Sequence, residues 1–290
     1  MALLALLSSV LWGTADYLGG VLTRRRPALV VVLGMQLTGL AAVAVVVAFR
    51  GEVPTGRYLW YAVGAGLAGA VALTAFYQAL AVGTMGVVAP VAATGVAVPV
   101  VVSWLRGERP GAAALVGLLL AAAGVVLASG LDPGGRGEPG SSRLGSSRVA
   151  TGLAVVAAFG FGSVLVLVDR AIAADPTSTP VLLGAMRITS AVVVGAFLLV
   201  RRTPVRLGRA DAWPLVTTGL CDTAAVGLYA VASRGDADLA VVAVLASLYP
   251  VVTALLARQL LGEHLSRTQV TGVCAVLGGV VLIAASGAAG

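Results

Sequence analysis

Three ionisable side chains stand inside stretches that are otherwise apolar. They are Asp16 in VLWGTADYLGG, Arg187 in VLLGAMRITSAVVV and Asp222 in TTGLCDTAAVGLY. A charge at the centre of a bilayer costs roughly 2.5–3.5 kcal/mol on insertion scales, and such residues nearly always face a protein interior or a wet cavity. A carboxylate in that position can bind a cation or a proton. The guanidinium fork of an arginine can hold a carboxylate through two parallel hydrogen bonds. On a helix, Trp12, Gly13, Gly19 and Gly20 share the face of Asp16, being three or four residues from it. Three glycines on one face admit a close neighbour, either another helix or a ligand. Asp16 has two further readings, a bond across a helix crossing or an ion pair with Arg24, about 12 Å along the same helix. Arg187 and Asp222 lie on consecutive helices and form either a buried ion pair or a site with Arg187 on a substrate carboxylate and Asp222 near its amine.

Prolines add a second set of pointers. Pro90 and Pro99 fall in one apolar stretch and Pro250 in another. An interior proline lacks the N–H that closes a helical hydrogen bond, so it frees a carbonyl. At membrane depth that defect is tolerated where the backbone lines a cavity or is buried in protein. Tyr77, Gln78, Tyr229 and Tyr249 complete the candidate lining, with interfacial anchoring as the other reading for Tyr77 and Tyr229.

The elements that must position these residues are membrane helices. The 290 residues are 59% hydrophobic and 11% charged, with a mean hydropathy of +1.02. Apolar segments near twenty residues match the hydrocarbon thickness of a bilayer. Ten are expected, at about 2–22, 28–49, 58–81, 84–105 and 111–130, then 149–168, 180–199, 212–232, 239–257 and 268–286. The first has no positive charge ahead of its apolar core, which predicts a retained span rather than a cleaved signal. Between the two sets of five, LDPGGRGEPGSSRLGSSR reads as a flexible connector. The division is a first repeat at 1–130, a linker at 131–148 and a second repeat at 149–290.

The two sets are alike in sequence. FYQALAVGTMGVVAP parallels LYAVASRGDADLAVV, aligning Tyr77 with Tyr229 and Gly83 with Gly235. WLRGERPGAAALVGLLLAAAGVVLASG parallels QLLGEHLSRTQVTGVCAVLGGVVLIAASG, aligning Gly107-Glu108 with Gly262-Glu263. A unit with an odd number of spans inserts its two copies in opposite orientations, the plan of many secondary transporters. Pro90, Pro99 and Pro250 then sit in the fourth helix of each copy. The fold expected is an all-α integral membrane protein of ten transmembrane helices in two inverted five-helix repeats.

Two five-helix halves, an early Trp12-Gly13 and a Gly-Glu pair before each last helix resemble the EamA family of the drug/metabolite transporter superfamily. The resemblance implies a plasma-membrane transporter of amino acids, amphipathic metabolites or drugs, often in the export direction. Small multidrug transporters of that superfamily also place a carboxylate in the first helix for proton and cation exchange, a parallel of position alone. For Glu108 and Glu263 the expected role is to offset the positive dipole end of the helix that follows.

Other functions find little support. The pI near 10.2 comes from arginines between apolar segments, so nucleic acid is not an expected partner. His264 is the one histidine, so no histidine-based metal site or catalytic triad is available. Cys221 and Cys274 read as buried thiols inside spans. No phosphate-binding loop is present, and no cofactor is expected. The partners implied are a small-molecule substrate, the lipid bilayer and protons as a candidate coupling ion, with the chain as a monomer or homodimer. The alternatives to transport are an intramembrane lipid-modifying enzyme and a non-transporting receptor or assembly partner. Twelve arginines follow odd-numbered helices and six follow even-numbered ones, which places the linker in the cytoplasm and both termini outside.

Overall fold

The computed structural model describes all residues except 52–55, 57, 108–110, 129–141, 175–178, 206, 234–238 and 288–290. Among the described residues it is all helical. The first repeat comprises α1 (Ala2–Thr23), α2 (Ala28–Arg50), α3 (Tyr58–Val82), α4 (Met85–Ala93), α5 (Ala97–Leu105) and α6 (Ala112–Ala128). The second comprises α7 (Ser142–Ala174), α8 (Thr179–Val200), α9 (Arg209–Ser233), α10 (Leu239–Ala246), α11 (Tyr249–Leu261) and α12 (Arg267–Gly287). Among the described residues nine helical stretches are long and apolar enough to cross a membrane, and α6 is a shorter tenth. Large apolar side chains on the outer surface, such as Leu119 at 73% and Leu199 at 80% exposed, suit a lipid environment. The chain is a multi-span membrane protein.

Local chemistry explains several boundaries. Gly51 takes a left-handed φ of 64° and closes α2 by donating its N–H to the Val47 carbonyl. Gly262 does the same for α11 with a φ of 65°. Gly107, its counterpart in the first repeat, also has a positive φ, 93°. Both glycines of the repeated Gly-Glu pairs are therefore explained by backbone conformation. α12 begins with a reciprocal cap, the Ser266 hydroxyl accepting from the Gln269 N–H and the Gln269 side-chain oxygen accepting from the Ser266 N–H.

The fourth span of each repeat is broken in the middle. A 3₁₀ turn at Thr94–Val96 separates α4 from α5. Ser247 and Leu248 separate α10 from α11, with Pro250 at the start of the latter. Helix packing pairs the two repeats about a pseudo-twofold axis: α1 against α9, α3 against α7, α2 against α8, α4 against α11 and α6 against α12. Each first helix thus packs on the other repeat's third, while second, fourth and fifth helices meet their own counterparts. The α6–α12 seam brings backbone against backbone. Gly117 and Gly124 lie on the backbone of Gly279, Gly272 and Val276, and a Cβ on any of these four glycines would strike backbone atoms of the facing helix.

Candidate substrate cavity

A cavity of about 550 Å³ lies between the repeats, within the size range of small-molecule sites. Every span contributes to its wall except the one formed by α6. Trp12, Asp16, Arg187, Asp222, Tyr229, Tyr249 and Pro99 all line it. Its wall residues lie in the first half of α8 and the second half of α9 and α12. With direction alternating from span to span, the cavity runs from mid-bilayer toward the end that carries both chain termini.

Arg187 and Asp222 form an ion pair, Nη2 to Oδ2 at 2.6 Å. Arg187 Nη1 also donates to Gln36 Oε1 at 3.0 Å. The guanidinium rests on Gly39 of α2, where any Cβ would collide with it. Gln36 is buried at 5% exposure and shares the cavity wall. Nothing in the sequence singled out Gln36, because an uncharged amide in an apolar helix has many equivalent readings. Ser190, one turn beyond Arg187, also lines the cavity, and its Oγ is buried without a hydrogen-bond partner among the described residues.

Asp16 differs from that pair. Its Oδ2 is buried with no hydrogen-bond partner among the described residues. Arg24 does not pair with it; its Nη2 meets Glu263 Oε1 at 2.6 Å. Trp12, one turn before Asp16, packs against two tyrosines, with ring centroids 6.0 Å from Tyr229 and 6.1 Å from Tyr249. The glycines beside Asp16 all receive protein. Gly13 abuts Val252 and the Tyr249 carbonyl, Gly19 abuts the Tyr77 ring, and Gly20 abuts Met85 and Leu80.

The remaining candidates lie off the cavity. Tyr77 is fully buried between α1 and α3, its hydroxyl 3.4 Å from Met35 Sδ, and it fills the cleft left by Gly19. Gln78 is exposed on an adjacent face of α3. Pro90 is buried inside α4 and Pro250 at the start of α11. Pro99 and Pro250 cannot donate to the carbonyls four residues earlier, those of Gly95 and Ala246. Both of those residues line the cavity, so the two broken spans each bring an interrupted turn to its wall.

At the opposite end, Glu263 Oε2 accepts from the Gly86 N–H at 3.3 Å, in the first turn of α4. The helix start that Glu263 meets thus belongs to the other repeat, not to the α12 that follows it. Glu108 and Gly235 lie outside the described residues, as does most of the linker. Arg26 pairs with Asp211 of α9 at 2.7 Å. Two ion pairs therefore join the repeats at the end away from the cavity mouth.

Helices long enough to span a membrane, in two packed repeats with a central cavity, are an architecture that suits a membrane transporter. The chain belongs to the EamA-like transporter family, which matches residues 1–130 and 149–285, within the drug/metabolite transporter superfamily. The two matched segments leave out the Gly/Ser/Pro/Arg connector. The fold is similar to that of a protein solved by crystallography, at 18% sequence identity and a TM-score of 0.64, over 97% of this chain and 96% of that one. A search of curated proteins returned no match.

Proposed function

We propose that the chain is a secondary transporter that exports small organic solutes across the plasma membrane by alternating access between its two repeats. The observation that carries this reading is the cavity between them, with an interrupted span from each repeat on its wall. Interrupted helices in matching positions are a good pointer to a transporter's binding site. The Arg24–Glu263 and Arg26–Asp211 pairs close the end that the arginine distribution assigns to the cytoplasm. The conformation is accordingly outward-facing, and transport requires those pairs to part. Asp16 is the group that takes up a proton or cation, and the Arg187–Asp222 pair holds the wall between turnovers.

The test is solute flux in proteoliposomes, with and without a pH gradient, for wild type and Asp16→Asn. Flux driven by the gradient in wild type and uncoupled from it in Asp16→Asn is the expected result. Equal, equally coupled flux in both would remove Asp16 from the coupling mechanism. A screen of solutes for a raised melting temperature in detergent identifies ligands first, since binding stabilises the native state by mass action.

A further inference from the structure

We infer that the side of the cavity built by α3 and α7 is the subsite for the solute's apolar body, a ring or branched alkyl group, and that Gly69 sets how large that body can be. The inference rests on the transporter reading of the cavity and goes further in dividing it. The division follows from the pseudo-twofold axis, whose register is fixed by contacts made twice. Gly219 of α9 lies on the Met35 carbonyl and Thr38 of α2, and Gly66 of α3 lies on the Met186 carbonyl and Thr189 of α8. Gly13 of α1 lies on the Tyr249 carbonyl and Val252, and Gly162 of α7 lies on the Gly95 carbonyl and Val98. At the axis itself, Gln36 and Arg187 are equivalent and bond to each other.

Carried along the helices, that register pairs residues of the cavity wall. Trp12 is matched by Phe161, Asp16 by Leu165, Asp222 by Gly69 and Tyr229 by Phe76. The ring contacts repeat as well, Trp12 to Tyr229 at 6.0 Å and Phe161 to Phe76 at 5.7 Å between centroids. In each of these pairs the side chain with a hydrogen-bonding atom stands on α1 or α9, and its mate on α3 or α7 has none. The duplicated walls have diverged in one direction, which gives the cavity a polar side and an apolar side. Hydrocarbon gains by leaving water for the apolar side. On the polar side it would cover groups whose hydrogen bonds it cannot supply.

Gly69 is the position on the apolar side that packing does not explain. Of the three described glycines on the cavity wall, Gly66 and Gly95 each lie on a carbonyl of a neighbouring helix that a Cβ would strike. At Gly69 a Cβ would have only Val164 Cγ2 within 4 Å, at 3.7 Å, an ordinary contact. Its φ is not positive, so the backbone does not require glycine either, and alanine is the better helix former. What the missing side chain leaves is space in the cavity, at the position that Asp222 fills on the polar side. Leu73 and Phe76 follow Gly69 on the same helix face, and Phe161 meets Phe76 edge-on, so the space is bounded by hydrocarbon.

Isobutyl, benzyl and naphthylmethyl bodies, each carried on an α-amino acid, a primary amine and a primary alcohol, vary the body independently of the head. All are offered to the purified full chain in detergent, where melting-temperature shift reports binding, and to proteoliposomes for flux. Gly69→Ala is expected to weaken the naphthyl member of whichever head series binds by ~10-fold relative to its isobutyl member, the scale of one methyl-sized group in an apolar pocket. Gly69→Leu should extend the loss to the benzyl member. Unliganded Gly69→Ala should melt no lower than wild type, whereas Gly66→Ala, which meets the α8 backbone, should melt lower. Adding Phe161→Ala to Gly69→Ala should restore the naphthyl member. A uniform loss across the three bodies, an unchanged body preference, or no binding of any probe would each overturn the inference. If the probes are carried and their body preference ignores Gly69, the subsite assignment falls and the transporter reading stands. If Gly69→Ala selects against the large body in binding and no solute crosses sealed vesicles, the subsite stands and the transporter reading falls.

Discussion

Two arginine–carboxylate pairs in this molecule have the same length and very different settings. Arg187–Asp222 and Arg24–Glu263 both close at 2.6 Å. The first lies in the middle of its spans on the cavity wall, and the second at helix ends, with a third of the Arg24 side chain exposed. Distance therefore says little about what each contributes. At mid-bilayer water is a poor substitute for either partner, so the pair fixes α8 against α9 and Gln36 ties α2 to the Arg187 of α8. At the helix ends water can replace either partner at smaller cost.

Breaking the central pair on one side should have the largest effect. Asp222→Leu leaves Arg187 buried without its counter-charge and should destabilise the protein by about 3–5 kcal/mol, whereas the double variant Arg187→Met/Asp222→Leu should recover most of that loss. Unfolding in detergent, followed by denaturant titration, measures both. A double variant no more stable than the single one would show that the pair itself, rather than the stranded charge, carries the stability.

Gly39→Ala sharpens the same contrast from the packing side. The added methyl meets the guanidinium that Gly39 now accommodates, and overpacking of this kind costs about 1–3 kcal/mol. The larger consequence falls on geometry, since a displaced Arg187 loses its aim at Asp222 and Gln36. If unfolding of Gly39→Ala matches wild type, the guanidinium has room that the packing denies.

Glu263→Gln should show the smallest loss, about 1 kcal/mol or less and shrinking as salt is raised, as for other ion pairs near water. Its informative readout is conformational. A cysteine introduced on the side of the cavity that the Arg24–Glu263 pair closes should react faster with a water-soluble thiol reagent in Glu263→Gln than in the parent. Equal reactivity would assign the pair to stability alone.

The sequence carried some of this and not the rest, for identifiable reasons. Asp16, Arg187 and Asp222 stand out because charge is rare in apolar spans, and the Arg187–Asp222 pairing follows from adjacent helices. The broken fourth spans were signalled by proline. The position of the first break was not, because it falls at Thr94–Val96 between Pro90 and Pro99, marked by Gly95 alone, one of 38 glycines in the chain. Gln36 and Ser190 have no such contrast with their neighbours. Arg24 meets Glu263 across 239 positions, and no local pattern encodes that choice; Arg24's nearer charge in sequence is Asp16. Tyr77 and Gln78 are adjacent on α3, yet one is buried and the other exposed, a difference set by which face α1 covers.

The glycine seam between α6 and α12 has a mechanical consequence. Where backbone lies directly on backbone few side-chain rotamers can slide past one another, so the two helices form a stiff keel shared by both repeats. Any rocking that exposes the cavity to alternate sides must hinge about that keel, and the displacement must grow with distance from it.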